Sequence, residues 1–321
     1  VLQTIRSRLG KRAVAALTSL PWPMARPLIG AGAARAYPAT QEQVARFRPG
    51  DVLYLCDASW NYAVWGPARR ARAEGARVVT FVHDLMPLRR PEFCAPEVVR
   101  MYRGWLREML ACSEALVCNS AATEADLREW AAGAGVPPPP TSHVRLGSDV
   151  AGTGPAGTVR PDLEAFLEQE PCFAAVGSFE PKKNYPFLVQ AFERLWEAGS
   201  PARLVIAGRV TPEWAWLRDA IQSHPQHGRR MLALTDATDA EVTALYLRSR
   251  ALVFPSLLEG FGLPLVEART RGCPVIASDL PVFRELADSG VVLYDRTSLD
   301  ALCDILRSAC ADDRRASVPP T

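Results

Sequence analysis

The sequence predicts an α/β protein made of two doubly wound, Rossmann-like units. Three observations carry that expectation. Short apolar runs alternate with amphipathic stretches along most of the chain. Those runs are continuous, as strands covered on both faces of a parallel sheet must be, whereas half-exposed strands alternate. The pattern breaks once, in a Pro- and Gly-rich stretch between residues 133 and 161, and then resumes. At 321 residues the chain is long enough to build two cores.

In the first unit, strands are expected at 52–56, 78–82 and 115–118, with helices at 64–74, 97–110 and 121–132. The second unit predicts strands at 172–176, 204–207, 232–234, 251–254 and 275–277. Its helices fall at 185–197, 214–223, 239–248, 263–271 and 298–308. Thr238 and Glu241 have the spacing of a capping box for the helix at 239–248. Between the units, Pro137 to Pro140, Gly152, Gly154, Pro155, Gly157 and Pro161 suit an exposed connection with one short strand at 143–146. The expected division is a first domain at 1–150, incomplete at its start, a linker at 151–161 and a second domain at 162–321. The linker spells G-x-G-x-x-G from Gly152 to Gly157. That fingerprint works only between a strand and a helix start, and Pro155 and Pro161 are expected to interrupt any helix there.

Composition excludes several classes. Hydrophobic residues at 48% and charged residues at 22% are ordinary for a globular chain. A net charge of +2 without a concentrated basic excess argues against nucleic acid as a partner. The eight cysteines are scattered without a Cys-x-x-Cys pair, which disfavours zinc or a disulfide scaffold and predicts a reducing cytoplasm. No apolar run approaches the roughly 18 residues of a spanning helix. A basic stretch at 6–12 followed by apolar 13–20 imitates a signal peptide, but Pro21, Pro23 and Pro27 interrupt it.

The chemistry concentrates near residue 260. Glu259 and Glu267 bracket the turn Gly260-Phe261-Gly262-Leu263-Pro264. The glycines permit close approach or positive φ, and Pro264 is pre-set for a first helical turn. The N–H groups of that helix start suit a phosphate, and the flanking carboxylates can accept from hydroxyls. Phosphate with hydroxyl-rich groups on either side describes a sugar nucleotide. Only three of the 37 basic residues are lysines, and two of them stand together in Gly177-Ser178-Phe179-Glu180-Pro181-Lys182-Lys183. Ammonium groups there can neutralise a pyrophosphate as it leaves. His83 follows an apolar strand, at the carboxyl end where open α/β sheets bind ligands. An imidazole there can orient a hydroxyl, contact phosphate or move a proton. Asp84 is read as a turn cap, and Ser120 after Asn119 as a helix cap or a substrate contact.

With those residues assembled, the chain resembles the retaining glycosyltransferases of family 4, which have the GT-B fold of two Rossmann-like domains facing a central cleft. The resemblance spans roughly residues 50–304 and is strongest at 177–192, 204–208 and 235–295. It is most specific in Pro255 to Pro264, Glu267-Ala268 and Gly272-Cys273-Pro274-Val275. A weaker likeness, at 51–60 and 83–88, is to a bacterial branch that builds surface polysaccharides. The resemblance implies that His83 and Glu259 act on the donor sugar and that Glu267 holds ribose hydroxyls. It further implies donor contacts from Gly177, Ser178, Lys182, Lys183, Arg209, Gly260, Phe261, Gly262 and Leu263, with 234–238 beside the base. Many relatives carry arginine where this chain has Ser178, so Lys182 or Arg209 is expected to supply that charge.

The expected reaction is retaining transfer of a hexose, mannose preferred, from a nucleotide diphosphate-sugar to a hydroxyl of a glycan or lipid-linked acceptor. No metal or other cofactor is implied. A non-catalytic sugar-nucleotide-binding subunit and a sugar-nucleotide epimerase are the alternatives. Arg100, Arg103 and Arg107 share a helical face beside Trp105, Leu106 and Leu110, which predicts peripheral contact with an anionic membrane at its inner face, or else a solvated basic face over a core stripe.

Overall fold

The computed structural model describes residues 46–56, 59–61, 64–147, 157–169 and 171–311. Residues 152–156 of the glycine-rich fingerprint and the basic stretch at 6–12 lie outside them. Two compact units divide the described chain, one small and one large. In the small one, residues 46–51 and 70–76, Phe47 N–H donates to Glu74 Oε2 at 2.7 Å, and Gly75, at positive φ, packs on Pro49.

The large unit contains two parallel sheets. The first runs β1 (Val52–Leu55), β2 (Arg77–Val82), β3 (Ala115–Cys118) and β4 (Thr141–His143), in sequence order. Its helices are α1 (Trp65–Ala73, whose residues 70–73 fall in the small unit), α2 (Met86–Arg89), α3 (Pro96–Cys112) and α4 (Ala121–Gly133). The second sheet contains β5 (Cys172–Val176), β6 (Arg203–Ala207), β7 (Met231–Leu234), β8 (Ala251–Phe254), β9 (Val275–Ser278) and β10 (Val291–Tyr294). Its order is β10-β9-β8-β5-β6-β7, all parallel. Its helices are α5 (Pro161–Leu167), α6 (Tyr185–Glu197), α7 (Ala215–Gln222), α8 (Asp239–Arg248), α9 (Leu263–Thr270), α10 (Pro281–Leu286) and α11 (Leu299–Ala311). The second sheet is buried on both faces, as its continuous apolar strands require.

Three departures from the sequence expectation have physical causes. Pro161 does not break a helix but opens α5, where its fixed φ suits the first turn. Leu163, Phe166 and Leu167 of that helix enter the core of the second sheet. The strand expected at 143–146 forms instead at Thr141–His143, because β3 sets its register: Leu116 N–H reaches the Pro140 carbonyl at 2.9 Å. Val144, an apolar residue of the expected strand, is exposed. β10 and α10 went unpredicted. Val292 of β10 is exposed, as a residue on an edge strand often is, and α10 spans only Pro281–Leu286.

α3 buries Val99, Tyr102, Trp105, Leu106 and Met109, the i, i+3, i+4 stripe of an amphipathic helix. Trp105 and Leu106 are therefore core residues, the core stripe that is one of the two readings of this helix, and Trp105 Nε1 donates to Ser59 Oγ at 3.0 Å. Arg100, Arg103 and Arg107 remain on the exposed face. Thr238 and Glu241 form the expected capping box. Buried Glu241 also takes the Arg160 guanidinium at 2.6 Å, and chiefly that hydrogen bond lowers its pKa to about 2. Among the described residues, no helix is long and apolar enough to cross a membrane.

Candidate functional site

Strand order reverses between β5 and β8: β6 and β7 lie on one side of β5, β9 and β10 beyond β8. Ligands of open α/β sheets bind at the carboxyl ends of strands where the order reverses. The loops leaving these two neighbours are the two singled out by sequence, 177–184 and 255–262. They are joined by Lys183 Nζ to Glu259 Oε1 at 2.5 Å, with both side chains about nine-tenths buried. Ser256 Oγ donates to the same carboxylate oxygen at 2.7 Å, and Lys183 Nζ sits 4.9 Å over the Phe254 ring. The Leu257 N–H donates to the Lys182 carbonyl at 2.8 Å, so backbone joins the loops as well.

Glycine makes this approach feasible. A Cβ on Gly208, after β6, would stand 1.7 Å from the Gly177 carbonyl oxygen. Gly177 in turn lies against Lys183 and receives the Tyr185 hydroxyl on its carbonyl at 2.7 Å. Ser178 Oγ donates to Glu180 Oε1 at 2.7 Å, and Lys182 Nζ pairs with Glu180 Oε2 at 3.2 Å. Burial works against the Lys182 charge, but Glu180, Glu259 and Asp84 outweigh it and raise the pKa. Arg209 is exposed, and its carbonyl accepts the Phe179 N–H at 2.8 Å.

On the other side of the turn, Gly262 takes φ +104° and opens α9, with Pro264 in the first turn as expected. Leu263 is exposed at that helix start and Phe261 is buried. Glu267, one turn in, accepts the Tyr246 hydroxyl at 2.8 Å. Burial first, and then the Glu267 charge, push the Tyr246 phenol pKa up, so Tyr246 is a donor at neutral pH.

The carboxyl ends of β2 and β3 reach the same loop. A Cβ on Gly260 would lie 2.3 Å from the His83 carbonyl oxygen and 2.9 Å from Asp84 Cβ. The His83 ring packs edge-on to Phe81 and Trp60, with Nε2 3.3 Å from the Cys56 carbonyl. A carbonyl only accepts, so Nε2 is the donor in this contact. Asp84 caps the next turn by accepting the Met86 N–H at 3.0 Å, and Ser120 caps α4 by accepting that of Thr123 at 3.0 Å. Ser120 also donates to the Gly260 carbonyl at 2.8 Å.

The structure thus brings together His83, Gly177, Ser178, Lys182, Lys183, Glu259, Gly260, Phe261, Gly262 and Leu263. Glu267 follows one turn on, and Arg209 is joined to the first loop through backbone. Ser256, Glu180 and Tyr246 escaped sequence reading. Ser256 lay inside the most specific block; Tyr246 on an apolar helix stripe gave no signal.

Residues 162–318 match the family of glycosyl transferases group 1. The serotype-specific mannosyltransferase WbdA of Escherichia coli is 38% identical over 225 residues, 67% of this chain and 28% of that protein. This chain therefore matches little more than a quarter of that relative's length. O-antigen chain mannosyltransferase B of Escherichia coli is 27% identical over 261 residues, 79% of this chain and 66% of that one. An α,α-trehalose-phosphate synthase (UDP-forming) from Burkholderia xenovorans shares the fold, with a TM-score of 0.65 at 15% identity over 88% of this chain and 70% of its own. Such neighbours are GT-B glycosyltransferases, and two parallel-sheet halves are what that fold requires.

Proposed function

We propose that this group 1 glycosyltransferase carries out retaining transfer of a hexose, mannose by preference, from a nucleotide diphosphate-sugar to a hydroxyl of a glycan or lipid-linked acceptor. The observation that carries the reading is the Lys183–Glu259 pair at the reversal of strand order, where two glycine loops meet. The mannosyltransferase relatives favour mannose. In this reading the diphosphate lies on the N–H groups at the start of α9 and is neutralised by Lys183 as the bond from sugar carbon to phosphate oxygen breaks. The acceptor oxygen bonds the same carbon from the same face, and its proton passes to the departing phosphate oxygen. Glu259 faces the sugar and stabilises the positive charge developing there, Glu267 holds the ribose, and His83 Nδ1 accepts from a sugar hydroxyl. The scheme places no step on a metal or other cofactor.

A thermal-shift series with GDP-mannose, UDP-glucose and dTDP-rhamnose identifies the donor, since a bound donor stabilises by mass action. Transfer from that donor to a mannoside acceptor is then compared in wild type, Lys183→Ala and Glu259→Ala. Wild-type levels of transfer and donor binding in both variants would falsify the mechanism. We also place the protein at the inner face of the plasma membrane, attracted by the charge of Arg100, Arg103 and Arg107 rather than by the buried Trp105 and Leu106.

A further inference from the structure

Glu259 is held at both ends, and the two holds come from different sheets. Its carboxylate is fixed by Lys183 and Ser256 beside the second sheet. Its backbone continues into Gly260, whose freedom of φ and ψ would leave the loop loose unless something outside it supplied restraint. That restraint comes from the start of α4. The Gly260 carbonyl accepts from Ser120 Oγ at 2.8 Å and from Thr123 Oγ1 at 3.1 Å, which occupies both of its lone pairs. Ser120 and Thr123 are both buried. The helix start is itself anchored: Glu285, in α10, accepts the Ala121 and Ala122 N–H groups at 2.9 and 2.6 Å. Arg145 donates to the Glu285 carbonyl. A trans peptide is planar, so fixing the Gly260 carbonyl also turns the Phe261 N–H the opposite way, away from these hydroxyls.

We propose that Ser120 and Thr123 are positioning residues for sugar transfer: by holding the Gly260 carbonyl, they set the Gly260–Phe261 peptide one residue after Glu259, limit the swing of the loop at Gly260 and so align this carboxylate with the reacting carbon. The inference rests on the functional reading above. It separates two tasks of one loop, since the diphosphate is held by Lys183 and α9, and the sugar end depends on hydroxyls supplied by α4. The first hydroxyl doubles as a helix cap; the second does not, so Thr123→Val removes one hold on Gly260 and leaves the Ser120 cap in place.

The test uses GDP-mannose as donor and a mannoside acceptor, with GDP as the probe of diphosphate binding. Thr123→Val is expected to lower kcat about 10-fold and Ser120→Ala/Thr123→Val about 100-fold, the scale of a misaligned reacting group. The Kd for GDP should stay within about twofold of wild type, because the rate loss expected from misalignment leaves the diphosphate contacts in place. Thr123→Ser, which keeps the hydroxyl, should restore kcat. Unchanged kcat in the double variant overturns the proposal. So does a GDP Kd that rises in step with the fall in kcat, which marks a merely structural role, or a Thr123→Ser variant as slow as Thr123→Val. Absence of transfer and of GDP-mannose binding in the wild type would instead sink the functional reading itself.

Discussion

The two sheets of the large unit meet the same loop with different chemistry. The six-stranded sheet reverses its order between β5 and β8 and delivers charge there: Lys182, Lys183, Glu180 and Glu259. The four-stranded sheet runs in sequence order without reversal. Besides His83 and Asp84, it delivers neutral groups at fixed positions: the His83 carbonyl and the Ser120 and Thr123 hydroxyls. A reversal opens a crevice between two diverging crossovers, into which charged side chains can turn while remaining largely out of water. The ordered sheet has no such crevice. Its strand ends act through backbone and short hydroxyls, which set position rather than bind charge. Affinity for a donor is thus expected from one sheet and alignment from the other.

The largest effect should break the charged side. Lys183→Ala removes the cation from the proposed diphosphate and leaves Glu259 about nine-tenths buried without it. We expect kcat/KM to fall by about 10²–10³-fold, the scale of losing one preorganised charge-stabilising group. GDP affinity should fall with it, as read by isothermal titration; GDP binding at wild-type strength would contradict the division of labour. Gly260→Ala strikes the contact between the two sheets. Its Cβ would stand 2.3 Å from a backbone oxygen, which no side-chain rotation relieves. Denaturant titration should show a loss of about 1–3 kcal/mol, the usual range for overpacking, with transfer falling further than GDP affinity.

The third prediction concerns the six-stranded side away from charge transfer. Arg160→Ala deprives buried Glu241 of its guanidinium and should cost about 2–3 kcal/mol at pH 7, below the ~3–5 of a fully buried pair because Arg160 is 30% exposed. Glu241's folded pKa of about 2 lies under its ordinary 4.5, so the pair's contribution is complete above pH 4.5 and fades as pH falls through 2. The gap in stability between wild type and variant should shrink over that window in denaturant titrations; a gap constant down to pH 2 would sever it from Glu241 ionisation. The smallest effect is expected on the exposed face of α3. Replacing Arg100, Arg103 and Arg107 with Gln should change stability by no more than about 0.5 kcal/mol at each site. Salt-sensitive co-sedimentation with anionic vesicles should weaken in that variant; equal binding would remove the basic face from any membrane role.

Much of this was legible along the chain. The strands at 115–118, 172–176 and 251–254 and the helices at 185–197 and 239–248 fall where continuous apolar runs and capping residues put them. The loops holding Lys183 and Glu259 stood out because glycine, proline and scarce lysine are local signals. Less legible were features whose cause lies in a partner. The register of β4 follows β3, and the helix at Pro161–Leu167 exists because its three apolar residues meet a core already built by other strands. The role of Tyr246 depends on Glu267, 21 residues away.

The sequence by itself determined the class of fold, the two loops and the types of group they carry, because propensity, periodicity and turn chemistry act over a few residues. Tertiary structure alone decided that Lys183 and Glu259, 76 residues apart, meet at 2.5 Å, and that Ser120 and Thr123 hold a carbonyl 140 and 137 residues away. Those pairings depend on strand order, and strand order is settled by how whole sheets pack, not by any one segment of the chain.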